Sequence, residues 1–339
     1  MRIEDFDYNL PGDLIAQTPI EPRDSARLLV DQGALNQPLH RQVKNFVEFC
    51  EPGDVIVVND TKVIPARIRL VRKSGGAAEV LLLEQSASTP GLWEALIRPA
   101  KRLKTGEVLF AADGRELVEI GERTLAGDTF LIKLRCESQS ELEEMLMQYG
   151  EMPLPPYITA PLTASDRYQT VYANRPASAA APTAGLHFTP ALIEALKSMG
   201  VNFLTVDLTV GLDTFAPVTE ENPLNHPMHS EHYRVDAKTL DACAKANRVI
   251  AIGTTATRAL ESAASTGVLE GRTKMFISRG YEFKVVDLLL TNFHMPRTTL
   301  LMMIEAFVGP RWRDLYSTAI AERYRMLSFG DAMLLNRRL

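Results

Sequence analysis

Cysteine is scarce in this sequence, and long apolar runs are absent from it. The 339 residues include three cysteines, Cys50, Cys136 and Cys243, which lie far apart. A dispersed and odd-numbered set predicts neither a disulfide framework nor a zinc site, and it is typical of a reducing compartment. No stretch reaches the roughly 18 apolar residues that a membrane helix needs, and the acidic start MRIEDFDYNLPGD lacks the apolar core of a signal peptide. We therefore expect a cytoplasmic protein without a membrane partner.

Two common nucleotide-binding motifs are also missing. The chain contains no GxGxxG, and its GTT segment at residues 253–255 lacks the lysine of a phosphate loop. These absences disfavour an ATPase and a nicotinamide-dependent dehydrogenase. The net charge of −5, taken alone, argues against a nucleic-acid partner.

Positive charge is nevertheless concentrated in one segment. Residues 67–104 include eight Lys or Arg residues and only three Asp or Glu residues. Four of the cations fall in RPAKRLKTGE, which we predict to be a hairpin, and they are Arg98, Lys101, Arg102 and Lys104. Such a cluster either binds phosphates or is a solvated hairpin surface.

The pattern of strands and helices changes along the chain. Residues 67–135 contain short extended segments separated by Gly, Ser, Asp and Thr turns, which is typical of a small barrel or sandwich. After residue 155, strand patterns alternate with helical ones, which indicates a mainly parallel sheet with helices on its faces. We therefore predict an α/β fold. Its large domain, residues 1–66 and 151–339, has a mainly parallel sheet, and a small all-β barrel-like domain is inserted at residues 67–150.

Three junctions that precede predicted helices contain histidine and other polar side chains that could carry chemistry. They are APTAGLHFT, IGTTATR and TNFHMPRTT, and the last two directly follow a predicted strand. Loops at the carboxyl ends of parallel strands form the ligand crevice of open α/β sheets. We therefore expect the loops to converge and to bring together His187, Thr254, Thr255, Arg258, Asn292 and His294. Two histidines there would form an acid/base pair that titrates near physiological pH, although each alone is compatible with a structural role.

The first junction also carries a helix start signal. Thr189 is predicted to cap a helix that begins at Pro190, because its hydroxyl can accept a bond from a first-turn amide. His187 then lies two residues before a helix N-terminus, a place that favours an anion or a ligand carboxylate.

The segment HPMHSEH, residues 226–232, suggests a different chemistry. Its three histidines recur at a spacing of three beside Glu231, which would suit a zinc-dependent hydrolase. Pro223 and Pro227 disfavour the continuous helix that would align them, and the spacing is not HExxH. A polar substrate-binding loop is the alternative.

The segment NDTKVIPAR, residues 59–67, follows a strongly β-branched strand. It offers Asp60, Lys62 and Arg67 to a ligand at the end of that strand, or Asp60 to the backbone of a turn.

Ten motifs, distributed in order over the chain, carry a family resemblance. They are RDSARLLV, NDTKVIPARI, PAKRLKTG, MPLPPYI, DRYQTVYA, AAPTAGLHFT, HPMHSE, GTTATRALES, TNFHMP and YRMLSFGDAM. With them the sequence resembles the S-adenosylmethionine:tRNA ribosyltransferase-isomerases of queuosine biosynthesis. The resemblance runs from DFDYNLPGDLIAQTP to RMLSFGDAML.

The resemblance implies an activity, its substrates and a fold. Such enzymes transfer and isomerise the ribosyl group of S-adenosylmethionine onto 7-aminomethyl-7-deazaguanine at the wobble position of tRNA. The product is epoxyqueuosine in the tRNA, and adenine and methionine are released. S-adenosylmethionine is a consumed co-substrate, no cofactor is required, and the fold combines a large α/β domain with a small β-barrel domain. We expect a monomer, and we keep a metal-dependent hydrolase and a non-catalytic RNA-binding protein as alternatives.

We assign roles in this reaction from the chemistry of single residues. His187 and His294 suit the proton transfers as catalytic residues, and helix N-termini with Arg258 suit the methionine carboxylate. The residues expected to bind substrate are Asp60, Lys62, Arg67, Thr183, Gly185, His226, His229, Glu231, Thr254, Thr255, Arg258 and Asn292. Those expected to bind tRNA are Arg98, Lys101, Arg102 and Lys104, and no metal ligand is expected.

Four positions depart from the family pattern. Thr209 stands where a histidine is usual, Asp213 where glycine is usual, Arg279 where proline is usual and His232 where an aromatic residue is usual. Only the first two histidines of HPMHSEH then fit the family, which weakens the zinc hypothesis.

Overall fold

The computed structural model describes residues 1–86, 89, 91–124, 127, 129–178, 180–209, 217–228 and 230–337. The chain forms two compact units. The first comprises Met1–Thr61, Pro155–Arg175 and Ala181–Leu339, and the second comprises Lys62–Leu154 and Pro176–Ala180.

The described residues contain 18 β-strands and six α-helices. The strands are β1 Arg27–Val30, β2 Leu39–Gln42, β3 Val55–Asn59, β4 Thr61–Val63, β5 Arg67–Arg72, β6 Ala77–Gln85, β7 Leu92–Arg98, β8 Val108–Phe110, β9 Glu116–Arg123, β10 Phe130–Leu134, β11 Gly150–Glu151, β12 Arg175–Ser178, β13 Asn202–Leu208, β14 Glu231–Arg234, β15 Val249–Ile252, β16 Glu270–Thr273, β17 Leu288–Asn292 and β18 Ala332–Asn336. The helices are α1 Gln139–Tyr149, α2 Pro190–Ser198, α3 Ala237–Lys245, α4 Gly253–Thr266, α5 Thr299–Val308 and α6 Trp312–Ala321. None of these helices is both long and apolar enough to cross a membrane.

A mixed sheet organises the first unit. Among the described residues it has nine strands, in the order β16-β14-β13-β3-β15-β17-β18-β1-β2. Strands β13, β3, β15 and β17 are parallel to one another. Strand β14 is antiparallel to β13, β16 is antiparallel to β14, and β18 is antiparallel to β17. The predicted α/β fold is confirmed, with the parallel strands grouped at the centre of the sheet.

The central strands form the core of this unit. Strands β3, β15 and β17 are buried along their whole length. Continuous apolar runs such as Val55–Val58 are typical of parallel strands that are covered on both faces. Leu192 and Leu196 of α2 belong to the apolar cluster on one of these faces. Helix α2 begins at Pro190, and Thr189 caps it as predicted by accepting a hydrogen bond from the Leu192 amide at 3.1 Å.

Two polar loops leave the same edge of the sheet. Strands β15 and β17 are parallel neighbours, so their carboxyl ends lie side by side. Strand β15 leads directly into α4 at Gly253, whose φ of +89° is a conformation that favours glycine. Strand β17 ends at Asn292 and is followed by the loop to α5. This edge is where a ligand crevice is expected.

The second unit is a closed antiparallel barrel. Its six strands follow the order β5-β6-β7-β10-β9-β8, and the pairing of β8 with β5 closes the barrel. Strand β11 pairs with β5. The predicted barrel-like all-β fold is therefore confirmed.

The predicted basic hairpin is wrong. Strand β7 pairs with β6 and β10, whereas β8 pairs with β9 and β5, so β7 and β8 are not hairpin partners. Residues 99–107 are instead a connection between strands that are not neighbours. Closure of the barrel explains this arrangement. Strand β8 pairs with the free edge of β5, and β10 occupies the position beside β7.

Candidate functional site

A cavity lies at the sheet edge described above, in the first unit. Its lining includes the polar residues Thr183, Thr254, Thr255, Thr291, Asn292 and His294. A second hollow shares Thr183, Asn292, His294 and Leu300 with it. We call the two together the edge cavity. The three sequence junctions therefore meet in the folded chain.

Asn292 connects two of these junctions. Its Oδ1 accepts a hydrogen bond from Thr183 Oγ1 at 2.9 Å, and its Nδ2 lies 3.2 Å from His187 Nε2. Because the Thr183 bond orients the amide, Nδ2 is the donor towards His187. The neutral His187 ring then carries its proton on Nδ1 and presents Nε2 as an acceptor.

His294 is fixed mainly through its backbone. Its amide donates to the Tyr316 hydroxyl at 2.9 Å, and its carbonyl accepts from the Tyr8 hydroxyl at 2.5 Å. The Tyr8 and Tyr316 rings pack edge to face with centroids 5.0 Å apart. His294 Nε2 lies 3.1 Å from Thr291 Oγ1. An aromatic support and a threonine therefore hold this imidazole at the wall of the cavity.

Both imidazoles are neutral at physiological pH. Burial, with a smaller contribution from the positive charge of Arg325, lowers the pKa of His187 to about 4. Burial lowers the pKa of His294 to about 3. The prediction that this pair titrates near physiological pH is therefore wrong, because removing a ring from water disfavours its charged form. A neutral ring can still accept a proton during the reaction.

Acid should destabilise the protein through these rings. An unfolded histidine titrates near pH 6.5, whereas folded His187 titrates near 4. The unfolded state therefore binds more protons below pH 6.5, and stability that is complete above that pH is lost as the pH falls towards 4. Between pH 7 and pH 4, a His187→Asn variant should lose about 3 kcal/mol less of its free energy of unfolding than the wild type. Denaturant titrations at a series of pH values measure this, and parallel losses in both proteins would contradict it.

His187 lines a different cavity from His294. This second cavity, which we call the flanking cavity, is also lined by Arg23, Arg167 and Ser328. Ser328 lines part of the edge cavity as well. His187 and Asn292 therefore lie between two hollows, and only Asn292 faces the edge cavity.

Arg258 does not line the edge cavity. Its side chain is buried in α4 and donates from Nη1 to the Glu231 carboxylate, which is also buried. Within the described residues, its Nε and Nη2 atoms have no hydrogen-bond partner. The expected substrate residues Arg258 and Glu231 thus form a buried ion pair with each other.

Asp60 and Gly185 occupy other places in the first unit. Asp60 is buried, and desolvation, with a smaller contribution from Asp207, raises the pKa of its carboxyl. Gly185 is buried beneath Tyr172, and a Cβ atom there would lie 2.0 Å from the Tyr172 hydroxyl oxygen. Packing alone therefore requires glycine at this position.

The remaining expected residues are dispersed. Lys62 and Arg67 belong to the second unit, where Arg67 lies 3.9 Å from Glu79. Arg98, Lys101, Arg102 and Lys104 are exposed in the same unit. Among the described residues, these four form no ion pair.

In the histidine array, the segment HPMHSEH at residues 226–232, the described side chains do not meet at one site. His226 Nδ1 lies 2.9 Å from Glu220, His232 Nε2 lies 3.5 Å from Glu270, and Glu231 binds Arg258. His229 lies outside the described residues. Among the residues that are described, no three His, Cys, Asp or Glu side chains are grouped as metal ligands.

The atypical positions have ordinary structural partners where they are described. Arg279 binds the buried Glu305 carboxylate at 2.6 Å. The Thr209 amide donates to the His232 carbonyl at 3.0 Å. Asp213 lies outside the described residues.

Sequence reasoning did not assign roles to several residues at the site. Tyr8 and Tyr316 position His294, and Thr291 contacts its ring. Tyr157 and Ser328 line the edge cavity and lie 2.7 Å apart between their hydroxyl oxygens. Thr291, Tyr157 and Ser328 lie in motifs quoted above, and Tyr8 lies in the quoted start of the resemblance, but no local spacing signals their roles.

Known proteins of one family match this chain over nearly its full length. The family model described as "Queuosine biosynthesis protein" matches residues 3–335. The S-adenosylmethionine:tRNA ribosyltransferase-isomerase of Carboxydothermus hydrogenoformans is 46% identical over 343 residues, which cover 99% of this chain and 100% of that protein. The protein of the same name from Desulfitobacterium hafniense is 47% identical over 350 residues, with the same coverage.

A solved structure shares the fold. The crystal structure of S-adenosylmethionine tRNA ribosyltransferase from Thermotoga maritima matches with a TM-score of 0.54 and 35% identity, over 97% of this chain and 99% of that one. A family match that spans nearly the whole chain, with relatives far above 30% identity, establishes the relationship. The chain belongs to the queuosine biosynthesis protein family.

Proposed function

We propose that this chain transfers and isomerises the ribosyl group of S-adenosylmethionine onto 7-aminomethyl-7-deazaguanine at the wobble position of tRNA. The products are epoxyqueuosine-tRNA, adenine and methionine. The observation that carries the proposal is the full-length similarity to relatives named for this activity, at 46% and 47% identity. We also propose a cytoplasmic site of action, because the tRNA substrate is there.

The edge cavity supplies what the first chemical step requires. The sulfonium of the donor acidifies the C5′ protons, and a base must take one of them to leave a stabilised ylide. His294 lines the cavity and is neutral, so its ring can accept that proton.

Later steps need two further proton transfers and a second substrate. Adenine must accept a proton as it leaves, and the acceptor amine must lose one as it attacks the ribosyl carbon. Methionine then departs as a neutral thioether. His187 lines the flanking cavity and is linked to the edge cavity through Asn292. We assign one of these two later transfers to His187 on this ground.

The decisive experiment measures adenine. The purified chain is incubated with S-adenosylmethionine labelled in the adenine ring and with tRNA that carries 7-aminomethyl-7-deazaguanine. We expect one adenine released per modified tRNA, and none with the same tRNA carrying guanine at the wobble position. Binding of the tRNA without adenine release would instead support a non-catalytic RNA-binding protein.

Turnover should be complete without a metal ion, and the protein should act as a monomer. We expect unchanged adenine release after exhaustive chelation, because the described histidines of the array are engaged with separate carboxylates. Metal analysis and light scattering of the active protein accompany the assay. Stoichiometric zinc whose removal abolishes activity, and whose return restores it, would contradict the prediction.

The exposed cations of the barrel should contribute to tRNA binding. Each cation that neutralises a phosphate adds close to one unit to the salt slope of binding. We therefore expect Lys101→Ala with Arg102→Ala to flatten that slope by about two units and to weaken affinity for tRNA, with little effect on the donor. Lys238→Ala with Lys245→Ala removes two exposed charges from α3 and serves as the control. Identical slopes for the wild type and the first variant would show that the cluster is only a solvated surface.

A further inference from the structure

We propose that the N-terminus of α4, together with the Thr255 hydroxyl, binds the carboxylate of the methionine part of the donor. The inference rests on the proposed function and assigns one end of the donor to one wall of the edge cavity. Arg258, the residue first expected to bind this carboxylate, is engaged with Glu231 outside the cavity lining.

Helix α4 begins without a side-chain cap. Its N-cap residue is Ile252, which cannot accept a hydrogen bond through its side chain, whereas Thr298 caps α5 by accepting from the Leu301 amide. Gly253, Thr254 and Thr255, the first residues of α4, all line the edge cavity. A helix N-terminus combines unpaired amides with a partial positive charge, which suits a carboxylate.

Thr255 provides the independent observation. Its side chain is 8% exposed, and its Oγ1 has no hydrogen-bond partner within the part of the chain that the structure describes. Buried hydroxyls are almost always paired, so an unpaired one at a cavity wall points to a group that the ligand brings. A carboxylate oxygen would satisfy both this hydroxyl and the amides of the first turn.

The charge of the lining favours a single carboxylate. Among the described residues, those that line this part of the edge cavity include no Asp or Glu to repel an anion and no Lys or Arg to pair with one. A tRNA phosphate would require neighbouring cations and a surface open to the polyanion. A donor carboxylate needs neither, and because His294 lines the same cavity, anchoring this end of the donor would orient its C5′ atom towards the imidazole.

The test uses Thr255→Val, Thr255→Ser and the wild type with two donors. One donor is S-adenosylmethionine, and the other is its decarboxylated analogue. We expect Thr255→Val to lower kcat/KM for S-adenosylmethionine by roughly 10- to 100-fold, the range for a hydrogen bond to a charged group, and to leave the analogue nearly unchanged. Thr255→Ser keeps the hydroxyl and should therefore keep the preference for S-adenosylmethionine over the decarboxylated analogue. Thr257→Val is the matched control, because Thr257 is buried in the same helix with its hydroxyl bonded to the Gly253 carbonyl at 3.2 Å.

A binding measurement separates this inference from the proposed function. Calorimetry with methionine and with its decarboxylated analogue needs no turnover, so it reports on the site even if adenine is not released. Preferential binding of methionine that is lost in Thr255→Val and kept in Thr255→Ser supports the inference. Equal losses for both donors, no loss for either, or a wild type that binds methionine no better than the amine would each overturn it. Absence of adenine release by a protein that still shows the methionine preference would count against the proposed function alone.

Discussion

Alanine at His294 is expected to lower turnover by about 10²–10⁴-fold, the usual contribution of a general acid or base. The imidazole lines the edge cavity, and two backbone hydrogen bonds to tyrosines hold its residue in place. Alanine removes the ring but leaves those bonds possible. Donor binding should therefore largely persist while the chemical step is lost, and adenine release under single-turnover conditions measures that step.

His187→Ala should lower turnover by a factor of the same order. The substitution removes the imidazole that accepts a hydrogen bond from the Asn292 amide. His40→Ala is the matched control, since His40 lies on β2 and bonds to the Tyr324 hydroxyl at 2.7 Å, away from both cavities. Normal turnover in either site variant would return that histidine to a structural role. A loss in the control of the same size would show that the effect comes from stability.

Replacement of Arg258 by methionine is expected to lower the free energy of unfolding by about 3–5 kcal/mol. The arginine and its partner Glu231 are both buried. Methionine fills much of the arginine volume but leaves a carboxylate in the interior without its guanidinium. Desolvation of that charge, rather than loss of a weak attraction, accounts for the size of the effect. Chemical denaturation followed by fluorescence measures it.

A double variant and a variant of a surface ion pair test whether the loss of stability comes from an unpaired buried charge. Arg258→Met combined with Glu231→Leu should recover most of the loss, because both charges are then removed. Arg323→Met breaks an ion pair with Asp13 in which both side chains are more than 60% exposed, and should cost less than about 1 kcal/mol. A loss for Arg258→Met no larger than that of the surface variant would contradict the prediction.

Local sequence already determined much of the site. GTTATR and TNFHMPRTT each follow an apolar strand pattern and precede a helix, and the carboxyl ends of adjacent parallel strands share an edge. The sequence therefore predicts that Thr254, Thr255, Asn292 and His294 lie together. The start of α2 at Thr189–Pro190 was equally predictable, because a cap depends on a few neighbouring residues. The roles of these cavity residues stay a prediction.

Other features depended on residues that are distant in sequence. Gly185 is required by the Tyr172 hydroxyl rather than by a ligand, and Arg258 is occupied by Glu231, which lies on β14. Neither partner can be read from spacing along the chain. The basic segment after β7 has the composition of a hairpin, yet barrel closure makes it a connection between strands that do not pair.

Motifs and periodicity along the chain indicate the family, the alternation of strands and helices, and the types of side chain that meet at the sheet edge. The protonation of His187 and His294 depends instead on the folded environment, since the pKa of an imidazole depends on how much water surrounds it. The tertiary structure also decides that His187 faces the flanking cavity while His294 faces the edge cavity. Capping and periodicity act over a few residues, whereas burial and pairing are set by the distant segments that the fold brings into contact.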